Sequence, residues 1–275
     1  MDQHLVAELE PLINVLPGRA ALLVKQVGAD VLFTHNADEP FSSASLIKLP
    51  LLWEYGCQIA SGQLDPRRAC IVPLEAIVGG RGIIHLLAEQ PRLRCQDMAA
   101  LMIVVSDNSA ANLLIDALGG LRELDASMKR RGFEQSRLRR YLGDESARQR
   151  GQDNVMTAAD VALVLERIAL GEGLPPNVTD HLLSLLMGQQ LCAKLPANLP
   201  LNTTIAHKTG ELPGIEHDAG ILYHGPAATI VVVMTSDLDS NVAGRELCRQ
   251  VGRIVYDWVD IHREQRQHRH STATT

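Results

Sequence analysis

Ser45 and Lys48, in the stretch Ser45-Leu46-Ile47-Lys48, are a hydroxyl and an amine three residues apart. On a helix that step puts both on one face, which makes a nucleophile beside a base. The apolar run from Leu46 to Tyr55 predicts such a helix, with Ser45 in its first turn, where unpaired backbone N–H groups favour negative charge. A lysine acts as base only when burial or a second cation makes it neutral. At average composition a Ser with a Lys three positions on arises by chance about once in a chain this long. Ser106-Asp107-Asn108 and Lys208-Thr209-Gly210 are far rarer, and each occurs once.

Lys208 is read at the end of a strand, facing a cleft, where its charge keeps Lys48 neutral and attracts a substrate carboxylate. Thr209 adds a hydroxyl to that carboxylate pocket, and Gly210 lets substrate backbone approach closely. Asp107 reads as a loop carboxylate bonded to local backbone.

The order and spacing of the three motifs resemble those of class A serine β-lactamases and the related penicillin-binding proteins, from about Ala20 to the last helix. The resemblance implies acylation of Ser45 with Lys48 as base or proton relay. It implies that Ser106 passes a proton to the leaving nitrogen and that Asn108 holds the substrate amide. The Glu211 N–H would pair with that of Ser45 as an oxyanion hole.

Two departures bear on the substrate. Class A enzymes carry an Arg-x-Glu loop whose Glu activates the deacylating water; here the stretch runs Ser136-Arg137-Leu138-Arg139-Arg140-Tyr141-Leu142, with Leu142 where that Glu belongs. Asp144 and Glu145 follow as candidate substitutes, or as solvated loop carboxylates. Where many relatives have an Arg for the drug carboxylate, this chain has Ile215-Glu216-His217-Asp218-Ala219-Gly220. His217 either replaces part of that charge or forms a local pair with Asp218. The expected function is a serine hydrolase acting on a β-lactam or related amide or ester. The alternatives are an acyl-sensing, penicillin-binding protein with little turnover, or a small-ester hydrolase or D-amino acid peptidase.

These residues need a frame to bring them together. Helical spacing predicts helices at 3–16, 45–61, 98–105, 110–118, 121–131, 158–170, 178–186 and 242–261, and strands at 20–27, 30–35, 204–208, 217–223 and 229–235. Pro50 is expected to bend the catalytic helix. Strands at both ends with helices between them suggest one sheet from both chain ends flanked by helices (about 1–44 and 201–262) plus an all-helical lobe (about 45–200); the resemblance implies the same, an α+β fold of the β-lactamase/transpeptidase type with an antiparallel sheet. Residues 263–275 read as a disordered tail.

With 46% hydrophobic and 21% charged residues the chain is globular, and a net charge of -6 argues against nucleic-acid binding. Lys129, Arg130, Arg131, Arg137, Arg139, Arg140, Arg148 and Arg150 form a local basic stretch without interleaved aromatics, which reads as solvated helix and loop surface. Five cysteines without a C-x-x-C, no leader pattern and no membrane-length apolar run point to a cytoplasmic protein with free thiols. The histidines lack metal-ligand spacing, and Gly79-Gly80-Arg81-Gly82 lacks the residues of a phosphate loop and reads as a flexible turn. No metal, cofactor, nucleic acid or membrane partner is expected, only a small-molecule substrate; oligomeric state is open.

Overall fold

The structure, a computed structural model, describes residues 1–225 and 227–272, with side chains through Arg263. The chain opens with α1 (Gln3–Asn14), capped by the Asp2 carboxylate, which accepts from the backbone N–H groups of His4 and Leu5. Then come β1 (Arg19–Gln26), β2 (Val31–His35) and the two-residue β3 (Phe41–Ser42). A 3₁₀ turn, Ala44–Ile47, runs straight into α2 (Lys48–Ala60). The helical layer continues through β4 (Ala69–Ile71), β5 (Arg92–Arg94), α3 (Cys95–Val104), α4 (Asn108–Ala117), α5 (Leu121–Arg130), α6 (Glu145–Gln149), β6 (Val155–Met156), α7 (Ala158–Leu170) and α8 (Pro176–Met187). The chain returns to the sheet as β7 (Thr204–Leu212), β8 (Ile215–Tyr223) and β9 (Thr229–Ser236) and closes with α9 (Asn241–Thr272).

The main sheet has the order β2-β1-β9-β8-β7, every neighbour antiparallel. Both faces are buried, which the alternation along β1 makes visible. Ala20, Leu22 and Val24 enter a core with Leu5 and Leu9 of α1 and Val251 and Trp258 of α9. Ala21 and Leu23 point the other way, into the larger core with Leu52 of α2, Met102 of α3 and Val161 of α7. A sheet covered on both sides by helices, with most helices on one side, is the α+β architecture the sequence led us to expect.

Several local expectations change. Ser45 lies in the 3₁₀ turn and not in the first turn of an α-helix. Pro50 therefore falls in the opening turn of α2, where its missing N–H has no intrahelical partner to lose. Lys208 sits inside β7, not at its end, because Thr209, Gly210 and Glu211 stay in register with Asp218, His217 and Glu216. α9 extends past Ile261 to Thr272 through residues such as Arg263, Glu264 and Gln265, all good helix formers. Of the expected tail, residues 273–275 lie outside the described residues.

Candidate active site

Ser106 is the meeting point of the site. Its Oγ accepts from Lys48 Nζ at 3.1 Å and from Lys208 Nζ at 2.9 Å, joining a helix lysine to a strand lysine. Lys48 also donates to the Ser106 carbonyl (2.7 Å) and to Asn108 Oδ1 (2.9 Å). An ammonium has three N–H donors, so these bonds saturate Lys48. No direct Ser45–Lys48 hydrogen bond is present among the described residues. Ser106 itself holds φ +57°, a left-handed conformation unusual for a residue with a Cβ, between α3 and α4.

Burial sets the electrostatics. Lys48 and Lys208 are both fully buried. Desolvation lowers Lys48 to about 7, against the opposing pull of Asp107, so its neutral form is accessible near neutral pH. Lys208 is also pushed well down, by burial first and then by the charge of Lys48. With both ammonium groups bonded to one hydroxyl oxygen, protonation of either disfavours protonation of the other.

Asp107 works on the backbone, as expected. It caps α4 through Ala110 N (2.9 Å), and its other oxygen accepts from Ile83 N (2.7 Å) and Ile84 N (2.9 Å). Asn108 N donates to the Arg81 carbonyl at 3.1 Å. Gly79-Gly80-Arg81-Gly82 is thus tied down and forms a wall of the cleft, contrary to the expected flexible turn. Gly82 has φ +117°, and a Cβ there would overlap Asp107.

Ser45 is half-buried and borders two cavities, of about 160 Å³ and about 510 Å³. The smaller is lined by Ser106, Thr209, Lys194 and Arg245, the larger by Asn108, Leu142 and Glu145. Arg81 and Glu211 border both and form an ion pair with each other. A Cβ on Gly210 would stand 3.2 Å from that of Ala44, so β7 lies directly against the turn carrying Ser45. A side chain at Gly210 would make its neighbours give by a few tenths of an ångström, and Glu211 beside it lines both cavities.

His217 supplies no charge here. It is fully buried, with Nε2 on the Ser42 carbonyl (2.8 Å) and Nδ1 accepting from Thr235 N (3.1 Å). Burial lowers its pKa to about 4 despite the Ser42 bond. Nor does it pair with Asp218: neighbouring strand residues point to opposite faces, and Asp218 bonds His207 instead. Three cationic side chains line the smaller cavity: Arg81, paired with Glu211; Arg245 of α9, paired with the buried Glu216 at 3.3 Å; and Lys194, which also pairs with Glu216 and donates to the carbonyls of Gly210 (2.7 Å) and His217 (3.0 Å). Neither Lys194 nor Arg245 sits in a motif, and no sequence signal marks them.

The chain matches the model of the β-lactamase enzyme family over residues 4–259. It belongs to that family. A β-lactamase of Streptomyces lavendulae is 27% identical over 229 residues, 80% of this chain and 75% of the other. One of Rhodobacter capsulatus is 26% identical over 250 residues, 87% and 83% of the two chains. Among solved structures, PBP-A superposes with a TM-score of 0.84 at 28% identity, covering 93% of this chain and 96% of its own. A β-lactamase of Sphaerobacter thermophilus gives a TM-score of 0.84 over 94% and 98% of the two chains; at 23% identity that likeness speaks for the fold. The protein is therefore a β-lactamase-like serine hydrolase of the acyl-enzyme class, with the β-lactamase/transpeptidase fold.

In this β-lactamase-family cleft, the segment where a deacylating carboxylate was sought is firmly held. Leu142 is buried, its N–H donating to Asn112 Oδ1 (2.8 Å) and its carbonyl accepting from Asn112 Nδ2 (3.0 Å). Arg140 clamps the same loop to Asp153 at 2.7 Å. Asp144 does not line either cavity; its carboxylate caps α6 through Ala147 N (2.9 Å). Glu145 borders the larger cavity but is bound by Arg148 through two guanidinium nitrogens, which holds its carboxyl below the usual range. Sequence reasoning missed Asn112; a polar residue at a core position of α4 was the available signal.

Proposed function

We propose that Ser45 is acylated by a β-lactam or a related carboxylate-bearing amide or ester, and that the acyl-enzyme is released slowly. The observation carrying the first half is the convergence of Lys48 and Lys208 on the Ser106 hydroxyl beside the two cavities that Ser45 borders. Lys48, neutral in part near pH 7, takes the Ser45 proton when substrate displaces one of its present bonds. The Ser45 oxygen attacks the carbonyl carbon, and the N–H groups of Ser45 and Glu211 hold the resulting oxyanion. The Ser106 oxygen already accepts from two lysines, so its own proton is free to pass to the leaving nitrogen, with Lys48 replenishing it. Lys208, Thr209 and Arg245 receive the substrate carboxylate, Gly210 admits its backbone, and Asn108 holds its amide.

Leu142 supports the second half. Hydrolysis of the ester needs a base beside the incoming water, and neither Asp144 nor Glu145 is free for it. A leucine-to-glutamate variant of PBP-A has been captured as an acyl-enzyme with penicillin G, which supports a penicillin-like ligand for this cleft. Five free cysteines also fit a reducing compartment.

Intact mass over time after mixing with penicillin G, alongside hydrolysis of a chromogenic cephalosporin and a simple ester, tests the proposal. A persistent adduct on the wild type, absent in Ser45→Ala, is expected. Fast turnover without accumulation would refute slow release. Ester hydrolysis with no reaction toward any lactam would leave an esterase or D-amino acid peptidase.

A further inference from the structure

On the far side of β7 from Lys208, a third cavity of about 540 Å³ holds chemistry that the acyl-transfer site does not use. Cys192 and His207 both line it. His207 is buried at its floor, and its Nδ1 bonds Asp218 Oδ1 at 2.9 Å, leaving Nε2 as the remaining ring nitrogen. Asp218 is itself fully buried, its second oxygen held by Leu195 N at 3.0 Å. Cys192 is exposed at the cavity wall, hydrogen-bonded to the Gln189 carbonyl and beside the imidazole. The order is thiol, imidazole, carboxylate, with solvent access on the thiol side.

We infer that Cys192, His207 and Asp218 form a second nucleophilic site, a thiol that undergoes exchange with low-molecular-weight disulfides. Burial works to lower the His207 pKa, but the charge and hydrogen bond of Asp218, helped by Cys192, lift it to about 9. The thiolate is the attacking species in such exchange, and the imidazolium supplies a positive charge on the cavity wall that Cys192 shares. The exchange needs no further oxidant. The Cys192 sulfur attacks one sulfur of R–S–S–R, the new S–S bond forms as the old one breaks, and R–S⁻ leaves to be protonated by water. Cys192 is oxidised to the mixed disulfide and the departing half is reduced. The apolar wall of Pro196, Ala197 and Leu199 offers a seat for the retained R group.

Cys70 is the internal control, because it too is exposed, on β4, with no imidazole–carboxylate pair beside it among the described residues. The full chain is treated with oxidised glutathione and with an aromatic disulfide at pH 7, and the adducts are mapped by peptide mass against time. Cys192 is expected to react about tenfold faster than Cys70, because only Cys192 shares its cavity with the His207–Asp218 pair. Cys192→Ser removes the fast phase. His207→Gln, checked for native circular dichroism, slows Cys192 to the rate of Cys70. Equal rates at the two cysteines in the wild type overturn the inference without any variant, as does an unchanged fast phase in folded His207→Gln.

Discussion

Replacing Leu142 by Glu should convert a slow acyl-enzyme into one that turns over. The main chain at this position is held by Asn112 on both its N–H and its carbonyl, so the backbone has no reason to move when the side chain changes. Leu142 lines the cavity that Ser45 borders, which puts a carboxylate there within reach of a water at the ester. A positioned general base is worth about a hundred- to ten-thousandfold in the step it serves, and deacylation should quicken by that order. The substitution gives up the burial of a side chain only 6% exposed. That costs about 2 kcal/mol, or about 4–8 °C in melting temperature for a chain this size. Leu142→Gln, of the same shape without basicity, should lose similar stability and gain no rate. The assay is stopped-flow acylation by penicillin G followed by intact-mass decay of the adduct. Equal adduct lifetimes in Leu142→Glu and wild type, with both folded, would refute the assignment of this position to deacylation.

Acylation should rise with pH to a plateau above about 7, as Lys48 loses its proton, when followed by adduct formation across pH 5 to 9. The same shift has a stability sign: the folded pKa lies below the unfolded value of 10.5, so between about 7 and 10.5 the unfolded chain binds more protons. Stability from this residue therefore grows with pH in that window and is lost below it, and Lys48→Met should flatten the slope of urea midpoints measured at pH 7 and 9. Glu211→Gln keeps the backbone N–H while removing the negative charge that pairs with Arg81. It should lower KM for carboxylate-bearing lactams several-fold at low salt, an effect that shrinks as ionic strength rises. Gly82→Ala combines a strained φ with overlap on Asp107 and should cost about 3 kcal/mol or more, about 6–12 °C by differential scanning calorimetry.

The motifs were legible because each keeps its chemistry within three or four consecutive positions, and the long apolar periodicities of α7, α9 and β9 gave the layers around them. What stayed hidden depends on tertiary contact. Lys194 and Arg245 reach the cleft only because the segment after α8 lies beside β7 and α9 packs on β8, and neither has a local pattern. β7 outran its expected end because ladder pairing with β8 outweighs the poor strand preference of Gly210. The two-residue strands β3 and β6 are too short to leave a period. The left-handed turn at Ser106 is imposed by the junction of α3 and α4, and a serine does not announce it.

The Ser106 junction also ties reactivity to the way the molecule breathes. Lys208 rides on the sheet, while Ser106 belongs to the helical layer. A small drift between the two halves would sever the Lys208 bond before any hydrogen bond inside either half gave way. If the relay proposed above runs through Ser106, it needs both layers in contact, and a molecule in which they drift apart would keep its serine yet lose its chemistry.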